Sequence, residues 1–261
     1  MLSYGGGLVG GDCIALDATI GEGATLALLT QGSTKVFKVR PHGQLSSSVP
    51  SKHERRETRQ ILDVRIAHAA TVVLLPDPVQ PFTDAKYNQE QRFHLADTTS
   101  SCIVLDWILG GRVANGEIWA FERYKSINHI FLAGDSQDRL LLRDAQLLER
   151  QSGMARQFGR RHCLATLLLA GPETQKASTL LLAKFKGEER IMGFRSTAAS
   201  AAAQEQEESL IWTVTQHRGV TVLKCVGGHG SSEQVKGFLS DIVNQVGWRH
   251  RFGRDAFRAL E

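Results

Sequence analysis

Long apolar runs are missing from this chain. Across its 261 residues nothing approaches the roughly 18 to 20 consecutive apolar residues of a membrane-spanning helix. The longest candidates, Leu164–Leu169 and Val72–Leu75, are strand-sized. Cysteine is scarce and dispersed. Cys13, Cys102, Cys163 and Cys225 form no Cys-x-x-Cys pair, which argues against a zinc knuckle and a secreted disulfide framework. They read as buried small residues, with a soft metal ligand among them as the minority alternative. A dominant charge is also absent: 31 Lys and Arg against 27 Asp and Glu leave +4, without the basic stripe that nucleic acid selects. Met1-Leu2-Ser3-Tyr4 offers neither a basic n-region nor an apolar h-region, so no secretory signal is read there. The expected setting is cytoplasmic, with neither nucleic acid nor a membrane as partner.

What is present reads as strand after strand. Ile14–Ile20, Ala24–Leu29, Lys35–Val39, Ile61–Ile66, Thr71–Leu75 and Ile118–Phe121 are short and rich in Val, Ile, Leu and Thr. Gly21-Glu22-Gly23, Gly32-Ser33, Pro76-Asp77-Pro78, Gly110-Gly111 and Asn115-Gly116 punctuate them. No long amphipathic helix alternates with these strands, so a doubly wound parallel sheet is disfavoured. One helix is clear, over 232–246. Ser231-x-x-Gln234 is a capping-box pattern, Val235, Phe238, Leu239, Ile242, Val243 and Val246 follow at helical spacing, and Gly247 ends the run. A weaker helical pattern covers Asp144–Arg156. Two breaks interrupt what otherwise reads as a single domain over 1–261: an inserted, exposed loop at 41–59 and a small-residue, Glu-rich stretch at 197–208. The tail from Trp248 reads either as a docking arm or as a loosely packed extension.

Gly5-x-Gly7-x-x-Gly10 satisfies a dinucleotide fingerprint, but that motif needs a strand before it and a helix after it, and neither is legible here. Gln31-Gly32-Ser33-Thr34-Lys35 similarly lacks the first glycine of a phosphate loop. What the glycines supply is backbone freedom to pass tightly against another strand. Asp12 ends the run, as a carboxylate that either caps the turn through the backbone or faces a cation in a glycine-lined opening.

Further motifs follow the run Ser3-Tyr4-Gly5 to Asp12 in order. They are Thr30 to Lys38, Leu75-Pro76-Asp77-Pro78-Val79-x-Pro81-Phe82-x-x-Ala85-x-Tyr87-x-Gln89, Leu105-Asp106-Trp107-x-x-x-Gly111-Arg112, and Gly116-Glu117-x-Trp119. Together they resemble the UreD family of urease accessory proteins, called UreH in some bacteria. The likeness continues more faintly through Asp144 and Gly171-Pro172 to the helix near Val235, and the tail looks like the fungal or wider eukaryotic branch.

The resemblance implies a mainly β fold, with an elongated, β-helix-like body and a few helices. It implies a scaffold without catalytic activity that binds apo-urease together with a helical partner (UreF) and a nickel-carrying GTPase (UreG). Ni²⁺ would pass transiently into the urease active site, with no permanently bound cofactor. Polar side chains along an internal passage would assist the metal, and by motif position Asp12, Thr34 and Asp106 match such residues. A conduit needs spaced oxygen donors that hold an ion loosely, and the lack of any His-x-x-His cluster fits that. From the residues alone, Asp106 equally reads as the partner of Arg112. Arg112 and Glu117 are expected to be structural partners. Family members carry several strands before the glycine run, whereas here Met1 stands two residues ahead of Ser3. The resulting expectation is an exposed sheet edge and poor solubility of the chain expressed alone. Size-exclusion chromatography and thermal melting check it, and a monodisperse monomer with one cooperative transition refutes it.

Overall fold

The computed structural model describes residues 6–38, 57–134, 136–192, 210–227 and 232–261. Most of the 41–59 loop, the 197–208 stretch, Val39 and Ser231 lie outside the described residues.

The chain coils between two sheets. β1 (Cys13–Ile20), β2 (Thr25–Leu28) and β3 (Thr34–Val36) make one circuit. β4 (Thr58–Ile66), β5 (Thr71–Leu74) and β6 (Val79–Pro81) make the next, and β7 (Lys86–Leu95) and β8 (Ser101–Leu109) a third. β1, β4, β7 and β9 (Arg123–Leu132) pair in parallel in the first sheet, and β2, β5 and β8 do so in the second. Parallel neighbours need a long crossover, usually a helix. Here the crossover is a strand of the opposite sheet, which makes the body mainly β and β-helix-like. Its corners stack by backbone bonds: Ala67 N–H donates to Ile20 O, Ala96 N–H to Ile66 O and Ala133 N–H to Leu95 O.

Antiparallel strands complete both sheets. β10 (Arg139–Glu149) joins β9, giving the order β1-β4-β7-β9-β10. β11 (Cys163–Ala170) joins β8, β13 (Val220–Gly227) joins β11, and β12 (Ile211–His217) lies outermost. Beyond the short α1 (Met154–Phe158), the helices α2 (Gln175–Met192), α3 (Glu233–Val246) and α4 (Trp248–Phe252) bring a third layer onto the second sheet. That layering explains the almost wholly apolar β8, which is buried on both faces. Ile103, Leu105 and Trp107 pack with Ala177, Leu181, Leu239 and Ile242 of the helices. Cys102 and Val104 face the first sheet.

Several expectations meet their outcome here. The glycine run leads into β1 and not into a helix. It passes tightly along β3: Leu8 N–H donates to Lys35 O, Phe37 N–H donates to Leu8 O, and a Cβ on Gly7 would lie 2.8 Å from Lys35 O. α3 matches the anticipated helix, and Gly247 closes it in the left-handed region at φ 76°. The tail is docked, with Trp248, Phe257 and Leu260 buried in the helical layer.

Other readings need correction. Ile118–Phe121 is no strand: Trp119 (φ 50°) and Phe121 turn inward as plugs at one end of the body, and the Trp119 indole donates to Arg161 O at 2.9 Å. Asp144–Arg156 begins as strand, its first six residues being the end of β10, and turns helical only beyond Glu149, in a 3-10 turn at Arg150–Ser152 and in α1. Its inward positions include Asp144 and Gln146, so the alternation of a strand did not register as apolar against polar. α2 was not anticipated, because Leu180-Leu181-Leu182 cluster and Gly187 interrupts the helical period. Cys13 is exposed, unlike the other three cysteines.

Gly171, between β11 and α2, sits at φ 90°, where a Cβ would lie 2.1 Å from Ser100 O. Gly23 has φ 64° with open space around its Cβ position. Gly171→Ala is therefore expected to cost more than about 3 kcal/mol and Gly23→Ala only about 1 kcal/mol. Urea denaturation of the two variants measures the contrast.

Candidate functional site

The space between the sheets holds two apolar clusters. One contains Val64, Phe93, Val104, Ile130, Leu168 and Val222. The other contains Val36, Tyr87, Ile108, Trp119, Phe121 and Tyr124. Between them runs a polar belt set by strand register. In the second sheet, Asp106 of β8 is level with Thr166 of β11, and Thr166 with Lys224 of β13. In the first sheet, Gln91 of β7, Asn128 of β9 and Asp144 of β10 are level in turn. Gln89, Ser126 and Gln146 form the next inward row of the first sheet.

Asp106 is the centre of this belt and ties the sheets together. Its Oδ1 accepts from Gln89 Nε2 at 3.1 Å and Tyr124 OH at 3.2 Å. Its Oδ2 accepts from Ser126 Oγ at 2.6 Å and Asn128 Nδ2 at 2.7 Å. All four donors are neutral, so this buried carboxylate is solvated by protein dipoles and not neutralised by a cation. Burial first, and the Asp106 charge second, hold the Tyr124 and Tyr87 phenols above their ordinary range, so both stay protonated donors. Tyr87 stacks on Tyr124 with ring centroids 5.7 Å apart and donates to Gln60 Oε1 at 2.9 Å, or alternatively to Gln89 Oε1 at 3.0 Å.

A carboxylate only accepts, so Asn128 must turn its NH₂ toward Asp106 and its oxygen away. That oxygen is buried without a hydrogen-bond partner, as are Gln91 Oε1 and Thr166 Oγ1. Three buried acceptor oxygens with unmet capacity therefore line the same belt. Lys224 Nζ lies 2.6 Å from Asp144 Oδ1 at the outer end. Oxygen donors of this kind suit water or a hard to borderline cation.

The residues singled out from sequence do not share one ligand sphere. Asp12 sits in the turn before β1, where its Oδ2 accepts from Val9 N–H at 2.8 Å. Thr34 opens β3 and is level with Val79, which in turn is level with Ile108. That puts Thr34 roughly two strand spacings, about 10 Å, across the sheet from β8. Asp106 does not pair with Arg112. Arg112 instead grips Glu117, with Nε 3.1 Å from Oε2, and its guanidinium lies 4.2 Å over the Phe82 ring. Arg112 and Glu117 are thus structural partners, as anticipated.

Among the described residues no group of three or more His, Cys, Asp or Glu side chains is placed to hold a metal ion. Burial pushes the Cys102 and Cys225 thiols up to about 12 and raises Cys163 as well, so none of these offers a thiolate at neutral pH. Sequence reading missed Gln91, Asn128, Asp144, Thr166 and Lys224. The signal that could have found them is the inward phase of β7, where Tyr87, Phe93 and Leu95 alternate in step with Gln89 and Gln91.

Comparison with known proteins gives a consistent answer. The family model described as UreD urease accessory protein matches residues 1–259. A Schizosaccharomyces pombe protein named "Uncharacterized urease accessory protein ureD-like" is 36% identical over 251 residues, covering 94% of this chain and 80% of that protein. "Urease accessory protein D" of Arabidopsis thaliana is 40% identical over 177 residues, 67% of this chain and 54% of its own length. "Urease accessory protein UreD" of Sorangium cellulosum is 38% identical over 238 residues, 91% and 64% respectively. The matched region thus spans about half the length of the plant relative.

Asp106→Asn keeps the shape of the buried side chain but sets an NH₂ against a ring of donors. It is expected to destabilise the chain by about 2–4 kcal/mol. Serine at Asp106 is expected to cost less than Asn, because a hydroxyl still accepts and the space left is polar enough for water. Chemical denaturation of both variants checks the ordering.

Proposed function

The chain belongs to the UreD family of urease accessory proteins, and from that premise we propose that it serves urease maturation as a cytoplasmic, non-catalytic scaffold that conducts Ni²⁺. Apo-urease, a UreF-type helical protein and a UreG-type GTPase are its partners in this reading. Ni²⁺ is cargo, held transiently and released.

The observation that supports conduction is the polar belt itself. Fixing strand register accounts for Asp106 and its donors, but packing gives no reason for Gln91, Thr166 and Asp144 to lie between the two apolar clusters. Replacing such a layer by well-packed apolar side chains is often neutral or stabilising. The belt offers oxygens of several kinds, some lacking partners, and no tight cluster of imidazoles or thiolates. Such donors exchange readily with water and let an ion move on, whereas a closed nitrogen or sulfur site would retain it. Asp12 and Thr34 stand apart from Asp106 and belong to this reading as separate stations near one end of the body.

Co-expression with urease and its other accessory proteins tests the function. Omitting the chain is expected to leave urease largely inactive, and the chain is expected to co-purify with apo-urease. Asp12→Ala combined with Asp106→Ser is expected to lower nickel loading of urease while leaving that association intact. Unchanged loading in the double variant, with association preserved, leaves a scaffold that carries no metal. Full activation without the chain removes the reading altogether.

A further inference from the structure

The polar belt reaches the surface at the seam between β10 and β13. β10 pairs with β9 alone, and β13 pairs with β11 and β12. No backbone ladder joins β10 to β13, so side chains close the gap. Arg218 Nη1 donates to Leu140 O at 3.1 Å further along this seam. At the level of the belt the seam is bridged by the ion pair of Lys224 with Asp144 at 2.6 Å.

The two partners differ in their freedom. Asp144 is 13% exposed and stands level with Asn128, whose amide reaches Asp106. Lys224 is 38% exposed and level with Thr166. Its ammonium is a compact charge on a flexible four-carbon stem, able to swing into solvent without disturbing its strand, which a guanidinium fork would do less readily. The belt carries two carboxylates, Asp106 and Asp144, against this one ammonium. Among the described residues it also holds the three buried oxygens of Gln91, Asn128 and Thr166 that lack hydrogen-bond partners, together with one buried donor in the same state, Gln146 Nε2. One internal cation is therefore present, and there is room in charge and in donor atoms for a stronger one.

We propose that Lys224 is a displaceable resident cation: it seals the β10–β13 seam through Asp144 and yields that carboxylate to a hydrated divalent cation, returning when the ion leaves. The inference rests on the nickel-conducting reading and adds to it a portal and a reason for release. A divalent ion that sheds a water to contact Asp144 directly competes with the ammonium through its doubled charge at a similar separation. The tethered ammonium stays at high local concentration and displaces the ion again, so the belt does not become a trap. Nothing is transferred covalently, and the only bonds exchanged are ionic contacts and water.

Amine labelling of the unaltered full chain is the first test of this. Acetylation by N-hydroxysuccinimide acetate is followed by mass spectrometry at the peptide containing Lys224, with and without Ni²⁺. Lys86, in a surface pair with Glu122 at 2.7 Å, is the internal reference. Ni²⁺ is expected to accelerate labelling of Lys224 severalfold and to leave Lys86 unchanged. Asp144→Asn is expected to raise the labelling of Lys224 without metal and to abolish the response to Ni²⁺. Labelling of Lys224 that is unchanged or slowed by Ni²⁺ overturns the proposal, as does a response that survives Asp144→Asn. The two readings fail separately. Loss of the Lys224 response with urease activation still dependent on the chain removes only the portal. A Lys224 response in a chain that urease activation does not require removes the maturation role and leaves the cation site.

Discussion

A buried carboxylate has to be solvated by something, and for Asp106 that requirement is met by four neutral donors from β7 and β9. The desolvation of a lone charge is severe enough that these donors have to be in place when the chain folds. They fix the distance and register between β8 and the first sheet at mid-body, where apolar packing alone would tolerate slippage. The same bonds dictate the amide orientation of Asn128 and so leave its oxygen unpartnered. Structural order and unmet polarity arise from one interaction.

The motifs that carry the family likeness are mostly architecture. Asp77 of the Leu-Pro-Asp-Pro segment accepts from Gly32 N–H at 2.9 Å and from Thr30 Oγ1 at 3.2 Å, so two motifs form one corner. Gly111 sits at φ 115°, where a Cβ would lie 2.7 Å from Glu117 O, so the position requires glycine, and Arg112 closes the same loop onto Glu117. Trp119 and Phe121 plug the end that this loop covers. Asp106, Gln89 and Tyr87 are members of these motifs whose polar groups point into the body. Their neighbours in the belt, Thr166, Asp144 and Lys224, come from strands beyond the motif-rich region.

Function in this reading depends on weak holding. Asp106 is satisfied by its own donors, which lowers its pull on a passing ion, and Asp144 is shared with Lys224. Neither carboxylate offers an uncommitted charge. The oxygens without partners are neutral, and the thiols that face the cores are kept protonated by burial. Affinity is distributed along a line instead of concentrated at a point, which suits transfer.

The mainly β character, the corners marked by glycine and proline, the helix ending at Gly247 and the family were all legible in the residues alone, because each is a local or linear property: propensity, turn chemistry, capping and motif order. Only the tertiary structure decided that parallel strands cross over through each other's sheets, that Ile118–Phe121 plugs an end and that Asp144–Glu149 is strand. Only it showed that Asp106 meets Asn128 and not Arg112. The reason is that Asp106, Thr166 and Lys224 become neighbours through strand register, and register is set by the whole set of pairings and not by spacing along the chain. A polar residue on an inward strand position also erases the very alternation by which strands are recognised, so the belt that matters most to function was the part least visible in sequence.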